Sequence, residues 1–287
     1  MLITVFTPTY NRALLLPRLY DSLCKQTFND FEWLIVDDGS EDDTENVVNA
    51  FIAENKLNIR YIKQANGGKH RAINRGVKEA RGELFFIVDS DDILPTDSLQ
   101  IIHDTYVEIQ QDQSFGGVSG LDCDNKGILI GNGLPQNLID CNSIDIRYRY
   151  HVMGDMSEVF KTSVMKEFPF PEIIDEKFCP EALVWNRIAN KYKLRYVNRA
   201  IYIAEYQLDG LTSKMVKIRM DSPVASMICY SELNRLHIPF MQKLKAAINY
   251  WRFSFCSKDV QKPQLSFIWI WTLPLGLLMH IKDLQNK

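Results

Sequence analysis

At 287 residues the chain is long enough for one large or two modest domains, and its composition, 46% apolar and 24% charged, is that of a soluble globular enzyme. A net charge of −3 gives no electrostatic basis for a nucleic-acid partner. The cysteines at 24, 123, 141, 179, 229 and 256 form no CxxC pair, which sets aside zinc and dithiol chemistry and reads them as reduced, mostly buried thiols of a cytosolic protein.

The opening MLITVFTPTYNR has neither the basic start nor the apolar run of a secretory signal, so the first strand is expected almost at once, in a cytoplasmic chain. Leu2–Phe6 is that strand. Leu15, Leu16, Leu19 and Leu23 then recur at helical spacing within 12–25. Phe31–Val36 is a second strand, followed by a helix over 44–55 that Asp42 or Asp43 can cap. Asn58–Ile62 is a third strand, 69–81 a third helix closed by Gly82, and Leu84–Val88 a fourth strand. Strands alternating with helices predict an α/β fold with a mainly parallel central sheet. Beyond 115 the pattern loosens into short strand-like runs, Gly117–Leu121 and Gly127–Ile130, among many glycines. Helical periodicity returns in Pro180–Tyr192 and across 214–256.

In parallel sheets ligands bind beyond the carboxyl ends of the strands. There the chain places Thr7-Pro8-Thr9-Tyr10, Asp37-Asp38 and Asp89-Ser90-Asp91-Asp92. An Asp-x-Asp leaving a rigid strand suits a hard divalent cation shared with phosphate; the plainer reading is a turn. A second carboxylate at a strand end can accept the N3–H of uracil, a donor that cytosine lacks; turn formation and capping account for Gly39 and Ser40 but do not need both Asp37 and Asp38. No GxxxxGK[ST] or GxGxxG is present, excluding P-loop and dinucleotide sites. Ile93 stands where a haloacid-dehalogenase-type phosphatase carries threonine.

Taken together, 5-VFTPTYNR-12, 34-LIVDDGSEDDT-44, 66-NGGKHRAINRG-76 and 88-VDSDD-92 resemble, in order and spacing, the inverting family-2 glycosyltransferases of GT-A fold over roughly the first 100 residues. That resemblance implies a UDP-sugar donor, Mg²⁺ or Mn²⁺ on its diphosphate, and a saccharide or lipid-linked saccharide acceptor in bacterial surface polysaccharide assembly. By position, Pro8, Tyr10 and Asp38 would hold the base, Asp89 the ribose and donor sugar, and Asp91 the metal. Lys69 and Arg71 open a helix where an anion is favoured; Lys69 is read as functional, and Arg71 equally as functional or as a solvated base. The family's general base, at the start of a helix, falls on Glu181 in 178-FCPEALVWNRIANKY-192, with Asp155 as second candidate. Many members carry Glu-Asp or Gly-Asp there; this chain has Pro180-Glu181-Ala182. The segment 205-EYQLDGLTSK-214 reads either as a loop closing over the donor, with Lys214 on the phosphates, or as an exposed turn.

Residues 263–281 contain no Asp, Glu, Lys or Arg. Three readings stand: a packed core helix, an interfacial anchor on the inner face of the membrane, and a membrane span. The expected organisation is a GT-A domain over 1–213, with a nucleotide-binding half to 115 and an acceptor-binding half from 116, then a helical region over 214–287. Two further classes are weighed against a transferase: a non-catalytic sugar-nucleotide-binding subunit, and a nucleotidyltransferase, whose Gly-rich basic loop is replaced here by 7-TPTYNR-12.

Overall fold

The computed structural model describes residues 1–205, 211–257 and 263–285. The chain divides into two compact units, Met1–Pro169 with Ile188–Tyr206, and Phe170–Arg187 with Gln207–Lys287.

The first unit is built on strands β1 (Ile3–Thr9), β2 (Phe31–Asp37), β3 (Ile59–Lys63), β4 (Leu84–Ile87), β5 (Phe115–Cys123), β6 (Leu138–Cys141), β7 (Met156–Lys161) and β8 (Lys193–Ile203). They form one sheet in the order β3-β2-β1-β4-β7-β5-β8-β6. The pairings β2–β3, β1–β2, β1–β4 and β5–β8 are parallel, whereas β7 runs antiparallel to both its neighbours and β6 antiparallel to β8. Helices α1 (Leu16–Leu23), α2 (Thr44–Glu54) and α3 (Lys69–Glu79) connect the first four strands, α4 (Ser98–Val107) follows β4, and α5 (Ser143–Tyr148) and α6 (Thr162–Glu167) are short. The mixed α/β architecture with a mainly parallel sheet is the one expected from the alternation.

Every residue of β1 and β2 is buried, as strands covered on both faces require. Trp33 is fully buried, and its indole N–H donates to Thr7 Oγ1 at 2.9 Å, so the large ring enters the core without an orphaned donor. In α1 the residues Leu16, Leu19, Tyr20 and Leu23 line one stripe against the sheet. Gly76 on α3 has a packing cause: a Cβ there would lie 2.2 Å from the Phe6 ring. The Gly127–Ile130 run is not a strand. Gly127 N–H closes a turn onto Asp124, and Leu129 makes only an isolated bridge to Cys123.

The second unit carries the start of α7 (Glu181–Ala189), then α8 (Leu211–Asp221), α9 (Pro223–Arg235), α10 (Phe240–Ser254), a 3-10 turn over Phe267–Thr272 and α11 (Leu273–Gln285). A boundary near 213 is the sequence expectation, but residues 170–187 go with the C-terminal helices. The reason is polar. Glu176, buried, accepts the N–H groups of Val224 and Ala225 at the start of α9 (2.7 and 2.8 Å), and Arg187 forms a forked pair with Glu232 (2.8 and 2.7 Å). Such partners lie more than forty residues apart and have no local signature.

Candidate functional site

Strands β1 to β4 are parallel, so their carboxyl ends share one edge: Thr9 lies opposite Asp37, Asp37 opposite Lys63, and Phe6 opposite Ile87. The segments leaving that edge carry Tyr10, Asp38, the loop into α3, and Asp89 to Asp92.

The loops after β1 and β2 brace each other. Asn11 adopts a left-handed φ of 53°, tolerable for asparagine. Its N–H donates to Ser40 Oγ at 2.8 Å and its Oδ1 accepts from Glu41 N–H at 2.9 Å. Ala13 N–H donates to Asp42 Oδ2 at 3.0 Å, and Thr44 bonds the other oxygen of Asp42. Burial pushes the Asp42 carboxyl up, but these hydrogen bonds outweigh it and hold the group below its ordinary range. On this braced loop Tyr10 stands 45% exposed, its ring open to a stacking partner, while Pro8 is buried within β1.

The adjacent aspartates divide their tasks. Asp37 accepts the Ser40 N–H at 2.7 Å and the Tyr61 hydroxyl, and closes the turn. Asp38 accepts four N–H donors: Gln64 Nε2 at 2.7 Å and Gly67 at 2.9 Å on one oxygen, Asn66 Nδ2 at 3.2 Å and Gly68 at 2.7 Å on the other. Its carboxylate therefore occupies the anion-attracting position just before α3, where the sequence suggests open N–H groups. Gly68, at φ 99°, makes the sharp entry that brings Lys69 into the first turn of α3.

From there Lys69 reaches Asp89, with its Nζ 2.7 Å from Oδ1 and 2.8 Å from Oδ2. One positive charge thus answers the crowding of three aspartates after β4. A second restraint comes from the far end of β8. The Tyr202 hydroxyl donates to Asp92 Oδ2 at 2.6 Å and accepts the Asp89 N–H at 3.0 Å, and Glu205 N–H donates to Asp92 Oδ1 at 2.7 Å. Burial and the neighbouring carboxylates hold the Tyr202 phenol far above its usual pKa, so it stays a proton donor. Asp92 is pushed up to about 7, first by burial and then by Asp89 and Asp91, against the opposing pull of the Tyr202 bond and Lys69. Asp91 differs from both neighbours. It is half-buried and makes no hydrogen bond or ion pair among the described residues.

That carboxylate fits a hard divalent cation. Both oxygens are available, and among the described residues no three His, Cys, Asp or Glu side chains converge to hold a metal alone. One protein carboxylate completed by phosphate oxygens is a usual donor set for Mg²⁺.

Of the remaining expected site residues, Glu181 opens α7 half-buried behind buried Pro180, and Lys214 is exposed on α8. Both belong to the second unit, whereas Pro8, Tyr10, Asp38, Lys69, Asp89, Asp91 and Asp155 belong to the first. Residues 206–210, half of the 205–214 segment read as a closing loop, lie outside the described residues. Sequence reasoning missed Gln64, Asn66, Tyr202 and Glu205. Asn66 opens the quoted 66-NGGKHRAINRG-76 and Gln64 lies two residues before it; Tyr202 and Glu205, more than a hundred residues from the acidic turn, gave no local signal of that contact.

The family model described as glycosyl transferase family 2 matches residues 4–150. The glycosyltransferase GlyG of Streptococcus pneumoniae is 34% identical over 122 residues, covering 42% of this chain and 40% of that protein. The chain spans less than half the length of the curated relatives it matches. Among solved structures, S. aureus TarS 1–349 in complex with UDP-GlcNAc superposes with TM-score 0.60 at 20% identity, over 100% of this chain and 93% of that one. The mannosyltransferase PcManGT of Pyrobaculum calidifontis, in complex with GDP-Man and Mn²⁺, gives TM-score 0.57 at 17% identity, over 99% and 75%. At these identities the structural likeness concerns the fold.

Proposed function

The chain belongs to glycosyl transferase family 2, and on that premise we propose that it moves a sugar, with inversion, from a UDP-sugar to a hydroxyl of a saccharide or lipid-linked saccharide during polysaccharide assembly. The observation that carries this reading is the sheet edge itself: an open Tyr10 ring, an Asp89 neutralised by Lys69, and an Asp91 carboxylate with no bonds among the described residues, side by side beyond β1 and β4. The fold shared with TarS in complex with UDP-GlcNAc supports a uridine donor, and that shared with PcManGT in complex with Mn²⁺ supports a divalent ion.

In this reading Tyr10 stacks on the base, with Pro8 and the Asp38-clamped segment 64–68 closing the pocket around it. Asp89 faces the ribose and donor sugar, and Lys69 lends positive charge to the diphosphate. A bound Mg²⁺ or Mn²⁺ on Asp91 would neutralise the charge growing on the leaving group. The acceptor oxygen attacks the anomeric carbon opposite the diphosphate. The bond from that carbon to the diphosphate oxygen breaks, the electron pair leaves with UDP, and the acceptor proton passes to the Glu181 carboxylate.

Calorimetry of UDP, with GDP as control, tests the donor half. UDP affinity rises when Mn²⁺ is added, and Asp91→Ala removes that gain while metal-free binding persists; an unchanged Mn²⁺ effect in Asp91→Ala refutes the metal assignment. Glu181→Gln keeps UDP affinity and slows transfer by ~10²–10⁴-fold. Transfer at parental rate would move the base elsewhere, with Asp155 the next residue to test.

A further inference from the structure

The helical turn Phe267–Thr272 and α11 together make one largely apolar rod of nineteen residues, and only 17% of its apolar stretch is buried. That low burial removes the core-helix reading. The buried minority lies on one side: Trp269 and Thr272 are buried, and a Cβ on Gly276 would lie 2.4 Å from Trp251 Cβ of α10. The same side is fastened by polar contacts, since Trp251 Nε1 donates to the Trp269 carbonyl and Arg252 forms a forked pair with Asp283 (2.5 and 2.6 Å). A rod pinned to α10 by a charged pair cannot enter hydrocarbon alone without breaking that pair. The opposite side presents Phe267, Ile268, Trp271, Leu275 and Leu278 to solvent, at 82, 72, 53, 43 and 63% exposure, with the Phe240 ring of α10 tilted against Trp269 at 5.6 Å.

Charge says what covers this face. From residue 233 onward the chain has eight Lys or Arg and two Asp, a net +6, which leaves −9 on residues 1–232 of a chain whose total is −3. Lys245 and Lys282 are exposed and Lys243 half-exposed, on the helices that carry the apolar face. A basic, tryptophan-bearing helix with one apolar side is the pattern of a helix lying in the headgroup region of an anionic bilayer. A second copy of this chain would bring +6 against +6. We propose that α10 and α11 form a docking surface for an anionic membrane, with α11 lying in the interface plane and not spanning it.

The proposal does not depend on the transfer reaction and is tested on the full chain by flotation with lipid vesicles. Vesicles of phosphatidylcholine with about one third phosphatidylglycerol should carry the protein, and pure phosphatidylcholine should carry far less. Trp271→Ser combined with Leu278→Ser should lower the partition coefficient tenfold or more, with circular dichroism and UDP binding unchanged, since both side chains are exposed. Lys243→Gln, Lys245→Gln and Lys282→Gln should each lower it about fivefold at low salt, and about 0.5 M salt should do the same to the parent. Four results overturn the proposal: no flotation of the folded protein, equal binding to neutral and anionic vesicles, resistance to alkaline carbonate extraction as for a span, or a Trp271/Leu278 effect on self-association alone in ultracentrifugation.

Discussion

Replacing Asp122 by asparagine isolates one buried proton. Asp122 lies on β5, 5% exposed, and its Oδ1 accepts the Ser157 hydroxyl at 2.7 Å. Burial, then the negative charges of Asp155 and Asp92, push its carboxyl from the ordinary 3.8 to about 7, against the Ser157 bond and the attraction of Arg147. Because the folded pKa is the higher one, the folded chain holds a proton that the unfolded chain has already lost between about pH 4 and 7, and stability falls as pH rises through that window. At about 1.4 kcal/mol per pKa unit the full interval is worth about 4 kcal/mol, of which about 2.5 kcal/mol falls between pH 5 and 8. Asparagine keeps the acceptor for Ser157 and never ionises. Urea unfolding of both proteins at pH 5, 6, 7 and 8 should therefore show the stability difference shifting in favour of Asp122→Asn by about 2.5 kcal/mol from pH 5 to pH 8. A difference that stays constant to within about 0.5 kcal/mol across the range would refute the reasoning, for it would mean that Asp122 ionises alike in both states.

Two other perturbations probe the frame around the site. Gly76→Ala drives a methyl into the Phe6 ring and should cost about 1–3 kcal/mol, read as a lowered urea midpoint with unchanged slope; a neutral result would show that α3 can back away from β1. Tyr202→Phe removes the bridge between Asp92 and the Asp89 N–H. It should destabilise by about 1–3 kcal/mol and weaken the Mn²⁺-dependent part of UDP binding more than the metal-free part, whereas equal loss in both would mean that Tyr202 serves folding only.

Much of the polar sheet edge was readable from the order of residues. Short apolar runs bounded by turn residues, such as 2-LITVF-6 and 84-LFFIV-88, read as buried strands, and the helical stripes between them favour parallel pairing. Parallel pairing in turn puts Tyr10, Asp38 and Asp89 at one edge, because strands that run the same way end on the same side. The family resemblance, carried by four short motifs in that region, agrees with the match over 4–150. Gly76 closes the quoted 66-NGGKHRAINRG-76, and the Phe6 ring packed against it supplies the reason for a glycine inside a helix.

What the linear chain left open were partnerships chosen across long separations. Lys69 was expected to face phosphate and is found on Asp89, because α3 enters just where β4 leaves. Asp38 reads as a base contact in the motif and is found clamping Gly67 and Gly68. Tyr202 and Glu205 restrain Asp92 from β8, and Glu176 ties 170–187 to α9. Residues 263–281 allowed three readings, and their exposure weighs against the packed core helix. The difference has one physical origin. Period, run length and turn chemistry act between neighbours and are written in the order of residues, so the sequence by itself determined the first four strands, the helices between them and the edge where they end. Charge pairing, burial and exposure depend on which segments meet after the chain has doubled back, and only the tertiary structure decided them.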